Sequence, residues 1–340
     1  MRLPLFSLLA AALLAPSLSA QVSTIPTSPG IHTDAVGIAM EGVPYPFLVQ
    51  FLTVDIEGQP SRFAYMDVQP EKSNGRCVLL LHGKNFYGSY WENTVHALNA
   101  AGFRVIVPDQ IGFGKSAKPV TKYTFELLAE KTALLLDHLG ITQTAVVGHS
   151  MGGMLAVRLT RDYPDRVTHL VLENPIGLED YRLTIPPQSL QALYNNELTQ
   201  TSEDYRKFVT AYYAHPLPAI VEPFVDVRDR LTRSGEFPRW AQVAALTYQM
   251  IYQQSIVGEL PKITRPTLLV IGQKDRTAVG KAYASPAARE TLGDYPALGK
   301  SAHAEIPSSQ LVELENVGHI PHLEAPDRFH AALLEFLKQK

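Results

Sequence analysis

The chain has 340 residues, enough for one or two domains with a sizeable core on a ~150-residue domain prior, so a disulfide-stapled mini-protein is excluded. Hydrophobic residues make up 46% and charged residues 19%, a globular composition rather than a disordered one. Thirty Lys+Arg against 33 Asp+Glu give a formal charge of −3. No run of like charge forms the basic stripe that phosphate binding needs, so no nucleic-acid partner is expected.

Met1 and Arg2 precede an apolar run from Leu3 to Leu14, followed by Ala15-Pro16 and the small residues Ser17-Leu18-Ser19-Ala20. This is the order of n-region, h-region and cleavage site in a secretory signal, which predicts a signal peptide over 1–20, cut after Ala20 or Ser19, and a secreted or periplasmic protein. The run is too short to cross a bilayer comfortably, so no stable membrane span is expected after its removal. Export favours disulfides, yet Cys77 is the only cysteine. It opens the apolar run Cys77-Val78-Leu79-Leu80-Leu81 and reads as a small core residue.

Residues 21–45, rich in Pro, Ser, Thr and Gly, read as a leader lying on the surface. Phe47 to Ile56 and Arg62 to Val68 are β-prone runs around Glu57-Gly58-Gln59-Pro60, an antiparallel hairpin. Short apolar runs then follow at Cys77 to Leu81, Arg104 to Val107, Thr144 to Val147, His169 to Leu172, Thr267 to Ile271 and Gln310 to Glu315. Between them lie segments of helical period at Tyr90 to Ala101, Phe125 to Leu139, Met151 to Tyr163 and Pro326 to Gln339. Gly102 and Gly140 stand just past two of these helices, where a left-handed cap favours glycine. Continuous apolar runs suit strands covered on both faces, so an open, mostly parallel α/β sheet with an antiparallel N-terminal edge is expected. Its core spans 46–175 and 263–340.

Roughly 90 residues separate the runs ending at Glu173 and beginning at Thr267, far beyond the usual few-residue connection. Residues 176–262 are therefore read as a helical cap, with helical spacing at Ser189 to Leu198, Glu203 to Ala214 and Arg239 to Tyr252 and many aromatic residues. The stretch 276–309 is long for one connection. Ala287 to Leu292 and Tyr295 to Lys300 read as an additional surface subelement.

Gly148-His149-Ser150-Met151-Gly152 places G-x-S-x-G between an apolar strand and an amphipathic helix. Gly148 and Gly152 remove Cβ atoms that would collide at so sharp a turn, and Ser150 projects above the sheet edge. A serine hydroxyl needs a base and a carboxylate that orients the base. Asp275 lies just past one later strand and His319 just past the next, in the chain order Ser, Asp, His. His322 is the rival base, and Glu173 is the rival acid. A metal on His319 and His322 would need an acidic partner at H-E-x-x-H spacing, which the sequence lacks.

These segments, with Leu81-His82-Gly83-Lys84, Asp109-Gln110-Ile111-Gly112-Phe113-Gly114 and Gly318-His319-Ile320-Pro321-His322, resemble the α/β-hydrolase fold family in its capped serine-esterase branch, over nearly the whole chain after residue 45. The resemblance implies an oxyanion hole made by the backbone N–H groups of Met151 and Lys84, with Asn85 as the alternative donor. It also implies that His82 and His149 shape loops, and Asp109 reads as a turn-stabilising side chain. Serine rather than aspartate at 150 disfavours epoxide opening and dehalogenation. It points to a small or medium carboxylic ester or lactone cleaved through an acyl-enzyme, beneath an aromatic roof that excludes water.

Gly112-Phe113-Gly114 lacks the spacing of a dinucleotide fingerprint, so no cofactor is expected. Three other readings stay open. An aminopeptidase would hold an ammonium on Glu197, Glu203, Asp204, Glu222 or Asp226; a carbon–carbon bond hydrolase would share the triad; a catalytically silent binding protein would keep the fold alone.

Overall fold

The computed structural model describes residues 34–339, so the expected signal peptide at 1–20 and the first part of the 21–45 leader lie outside the described residues. β1 (Val49–Ile56) and β2 (Gln59–Val68) pair antiparallel, closed by Glu57 and Gly58 at φ 52° and 77°. Positive φ at both positions is the two-residue turn whose twist matches the flanking strands, and glycine takes the second position without steric cost.

The alternation predicted from the sequence follows. β3 (Cys77–Leu81), α1 (Glu92–Ala100), β4 (Arg104–Pro108), α2 (Phe125–His138), β5 (Thr144–His149), α3 (Met151–Asp162) and β6 (Val167–Glu173) come before the insertion. The insertion holds α4 (Leu190–Thr199), α5 (Ser202–Thr210), α6 (Pro218–Thr232) and α7 (Phe237–Gln253). β7 (Thr267–Gly272), α8 (Pro286–Thr291), α9 (Tyr295–Glu305), β8 (Ser309–Leu314), α10 (Pro321–Glu324) and α11 (Pro326–Leu337) close the chain.

Among the described residues the strands form one sheet in the order β1-β2-β4-β3-β5-β6-β7-β8, antiparallel as far as β2·β4 and parallel beyond. Alternation within the apolar runs explains why they are continuous. Leu79, Leu81, Val146, Leu172 and Ile271 enter the core on one face, while Val78, Leu80, Val147, Val171 and Val270 enter it on the other. Helices cover both faces of the central strands β3, β5, β6 and β7, whose positions are almost all buried and largely apolar, while the edge strands β1 and β8 keep exposed polar positions. From β3 the chain turns one way to β4 and the other way to β5. This switch point opens a crevice at the strands' C-terminal ends, where α/β sheets place ligands.

Three departures from the sequence reading have physical causes. α6 escapes periodicity because two prolines punctuate it: Pro218 starts the helix, where no amide is needed, but Pro223 lies inside and removes a helical hydrogen bond. The described part of the leader is not a surface strap. Val36, Ile38, Met40 and Val43 are buried against Val227, Leu231 and Phe237 of α6 and α7. Lys115 Nζ donates to the Met40 carbonyl at 2.7 Å, which holds this irregular stretch without strand or helix. The 276–309 segment is also more than a surface subelement. Tyr295 is buried, and Gly299 lets α9 approach Ile271 of β7, where an added Cβ would meet the Ile271 side chain at 3.0 Å.

Candidate active site

Ser150 follows β5 at φ 55°, a conformation that L residues adopt only under constraint. Its N–H donates to the Glu173 carbonyl at 3.1 Å, tying the turn to β6. The flanking glycines are required by contact: an added Cβ would stand 2.2 Å from the Gly152 carbonyl oxygen at position 148 and 2.1 Å from that of Leu81 at position 152. The turn aims the hydroxyl at His319. His319 Nε2 lies 2.9 Å from Ser150 Oγ, and His319 Nδ1 lies 2.6 Å from Asp275 Oδ2.

The carboxylate fixes the tautomer. Asp275 can only accept, so Nδ1 carries the proton and Nε2 is left to accept from the serine hydroxyl. Asp275 is itself held by residues that the sequence reading did not single out. Asn174 Nδ2 donates to Oδ2 at 2.7 Å, and the Thr277 N–H donates to Oδ1 at 2.8 Å. Asn174, at φ 37°, also accepts the Gly272 N–H at 2.9 Å, so one carboxamide joins the ends of β6 and β7. Its signal in the sequence is only a turn-prone Asn before Pro175 at a strand end.

His322 and Glu173, the rival base and acid, are brought together with each other. Glu173 accepts the His322 backbone N–H at 2.7 Å, and His322 Nδ1 lies 2.9 Å from its carboxylate. Both side chains are buried, and the His322 ring stacks on Trp91 at 4.0 Å between centroids. The pair anchors the start of α10 to β6. His319 and His322 each face a different carboxylate.

His149 is a positioning residue. Its Nε2 lies 2.9 Å from the His319 carbonyl, which only accepts, so Nε2 carries the proton and Nδ1 accepts from the Tyr90 hydroxyl at 2.9 Å. That hydroxyl in turn accepts the Gly83 N–H at 2.9 Å. One relay therefore joins the loop after β3, the residue before Ser150 and the backbone of His319. His82 plays a similar part: Nδ1 donates to the Gly83 carbonyl and Nε2 accepts the Gln110 N–H, each at 2.9 Å. Asp109 accepts from the Gly88 and Lys115 N–H groups and the Tyr45 hydroxyl, all at 2.7 Å, and so stabilises its turn.

Among the described residues no acceptor meets the backbone N–H of Lys84 or Met151, which flank the serine on the β3 loop and at the first position of α3. Gly83 packs against Ser150, where an added Cβ would lie 3.2 Å from the Ser150 Cβ. The backbone N–H of Asn85, the alternative donor, likewise meets no acceptor among the described residues, and its side chain donates to the Tyr212 hydroxyl at 2.9 Å.

The cap seals the site. The His319 N–H donates to the Tyr212 carbonyl at 2.6 Å, and Glu324 bridges the N–H groups of Gly318 and Ala214 at 2.6 and 2.9 Å. Ser150 is 7% exposed and His319 1%. A surface cavity of about 440 Å³ lined by Tyr45, Phe47, Phe51 and Lys115 lies elsewhere, on the N-terminal edge of the sheet. The acidic residues considered as an ammonium site are otherwise engaged. Glu203 and Glu222 pair with Arg206, Asp226 with Arg230, and Asp204 closes a capping box with Thr201; Glu197 faces Lys84 and Arg228.

Burial holds His82 below the ordinary histidine value of 6.5, His149 well below it, and His330 at about 4. These rings stay neutral in the fold but take up protons when unfolded below pH 6.5, so their linkage leaves stability intact above that pH and removes it as pH falls toward 4. Denaturant midpoints measured from pH 7.5 to 4.5 should hold steady above 6.5 and fall below it; a midpoint that rises on acidification would contradict this. Cys77 is half-buried, and burial raises its thiol to about 11, away from any nucleophilic role.

Residues 76–326 match the family model described as alpha/beta hydrolase fold. The crystal structure of a probable hydrolytic enzyme from Pseudomonas aeruginosa superposes with a TM-score of 0.88 and 45% identity, covering 89% of this chain and 98% of that one. A 2-hydroxy-6-oxononadienedioate/2-hydroxy-6-oxononatrienedioate hydrolase of Pseudomonas sp. is 27% identical over 78% of this chain and 90% of its own length. Lipase 3 of Moraxella sp. is 28% identical over 74% of each. With its sheet order, its serine turn and this match over most of its length, the chain belongs to the alpha/beta hydrolase fold family.

Proposed function

We propose that this protein is a serine hydrolase that cleaves small or medium carboxylic esters or lactones through an acyl-enzyme. The observation that carries the reading is the unbroken line from Asp275 Oδ2 through His319 to Ser150 Oγ, with separations of 2.6 and 2.9 Å. In the first step Ser150 Oγ bonds to the carbonyl carbon while its proton passes to His319 Nε2. The free N–H groups of Lys84 and Met151 then receive the developing oxyanion, each such donor contributing about 3 kcal/mol to the transition state. The carbon–oxygen bond to the alcohol breaks and the alkoxide takes the proton from His319. Water, deprotonated by the same nitrogen, releases the acid and restores the serine.

The aromatic groups Phe86, Tyr212 and Phe224 support an apolar substrate of limited size, because the Tyr212 ring lies 4.9 Å from the His319 ring and crowds the side of the site toward the cap. A panel of short 4-nitrophenyl esters, lactones and long-chain triglyceride emulsions tests the assignment. Turnover of the short esters and lactones is expected; turnover of the emulsions alone would contradict it. The dienedioate hydrolase relative supports a second reading, carbon–carbon bond hydrolysis on the same three residues, and vinylogous diketones added to the panel separate the two. The Met1 to Ala20 pattern supports export, which cell fractionation checks.

A further inference from the structure

Three charged side chains meet between the β3 loop and the cap, beside the proposed oxyanion hole. Lys84 Nζ lies 3.8 Å from Glu197 Oε1, and Arg228 Nη2 lies 3.4 Å from Glu197 Oε2 and 3.1 Å from the Glu197 carbonyl. Two cations thus share one carboxylate, and neither contact to it is short. The Arg228 side chain is only 5% exposed. Its guanidinium lies over the rings of Trp240 at 4.4 Å and Phe237 at 4.7 Å.

Ring contacts occupy the face of a guanidinium, whereas its hydrogen-bond donors lie in its plane. Arg228 Nε and Nη1 are buried with no acceptor among the described residues, and no acceptor lies within hydrogen-bond distance of Lys84 Nζ. Burying a cation with unpaired donors is costly, and an anionic ligand that accepts from them would offset that cost. Burial lowers the pKa of Lys84 and of Arg228, an effect that Glu197 opposes.

The cluster is tied to the β3 loop that borders Ser150. Lys84 follows Gly83, which packs against Ser150, and Tyr205, whose ring lies 5.8 Å from the Arg228 guanidinium, donates to the Asn85 carbonyl at 3.4 Å. We infer that Lys84 and Arg228 form an anion subsite of the substrate pocket, so that the preferred substrate is an ester or lactone carrying a second, ionised carboxylate on the side facing α4 and α6. The carboxylate accepts from the ammonium and from the unpaired guanidinium donors and restores neutrality to a cluster of net charge +1. Glu197 is the counter-charge that the two cations share in the absence of substrate. This inference rests on the hydrolase reading above and goes further by naming the charge of the substrate.

The test compares the half 4-nitrophenyl esters of adipate and suberate with the same compounds capped as methyl esters. In the native protein kcat/KM should favour the free acid at least tenfold at one of the two chain lengths. Lys84→Met and Arg228→Met should bring that ratio toward one, whereas Glu197→Gln, which removes the competing carboxylate, should raise it. A purely structural role would lower both members of each pair together. A native ratio of one or less at both lengths would overturn the subsite. Calorimetry on Ser150→Ala with monomethyl adipate and dimethyl adipate decides independently of turnover: tighter binding of the monoanion supports the subsite and equal binding contradicts it, even if neither ester is hydrolysed and the catalytic reading has failed.

Discussion

His319→Ala should lower kcat toward carboxylic esters by about 10⁶-fold, the scale of losing the base in serine hydrolases, and should also lower the melting temperature, because it leaves the buried Asp275 carboxylate without its imidazole partner. The imidazole is the group within reach of the Ser150 hydroxyl, at 2.9 Å, and the neighbouring histidine cannot replace it. His322 is committed to Glu173 and stacked on Trp91, facing another part of the core. Replacing it has a different signature. His322→Ala strands a fully buried carboxylate and opens a cavity beside Trp91, costing about 3 kcal/mol of stability. Activity per folded molecule survives. Thermal unfolding and steady-state kinetics on the two variants separate the roles; a catalytic loss in His322→Ala as large as that in His319→Ala would reassign the base.

Asp275→Asn gives the second large loss, about 10⁴-fold in kcat. The carboxylate accepts three donors, from His319, Asn174 and Thr277, and a carboxamide cannot accept all three. Either the imidazole loses the partner that keeps its proton on Nδ1 or another N–H is buried without an acceptor. In both cases the imidazolium formed during acylation loses its counter-charge. Asn174→Ala should cost much less, because it removes one donor to Asp275 and leaves the charge in place. Single-turnover acylation rates on the two variants check the order; equal losses would show that Asn174 does more than orient.

The parts of the site carried by local pattern were legible in the sequence, and those made by tertiary contact were not. Ser150 and Asp275 each follow a fully buried strand and His319 follows the half-exposed edge strand β8, so their common edge follows from the strand and helix alternation. Gly148 and Gly152 announced the sharp turn because only glycine fits against the Gly152 and Leu81 carbonyls. Asn174 carries no comparable signal, since its two side-chain hydrogen bonds reach residues 101 and 98 positions away. The Tyr90 to His149 relay likewise depends on the β3 loop lying beside β5. The burial of Val36 and Ile38 was hidden because their partners belong to α6, a helix that its own prolines disguise.

The central claim is that the Ser150 hydroxyl is an activated nucleophile. Treating the native protein with a fluorophosphonate and mapping the adduct by peptide mass spectrometry tests this most directly. Stoichiometric modification of Ser150, abolished in Ser150→Ala and greatly slowed in His319→Ala, is the predicted result; an unmodified Ser150 under conditions that label a known serine esterase would contradict it.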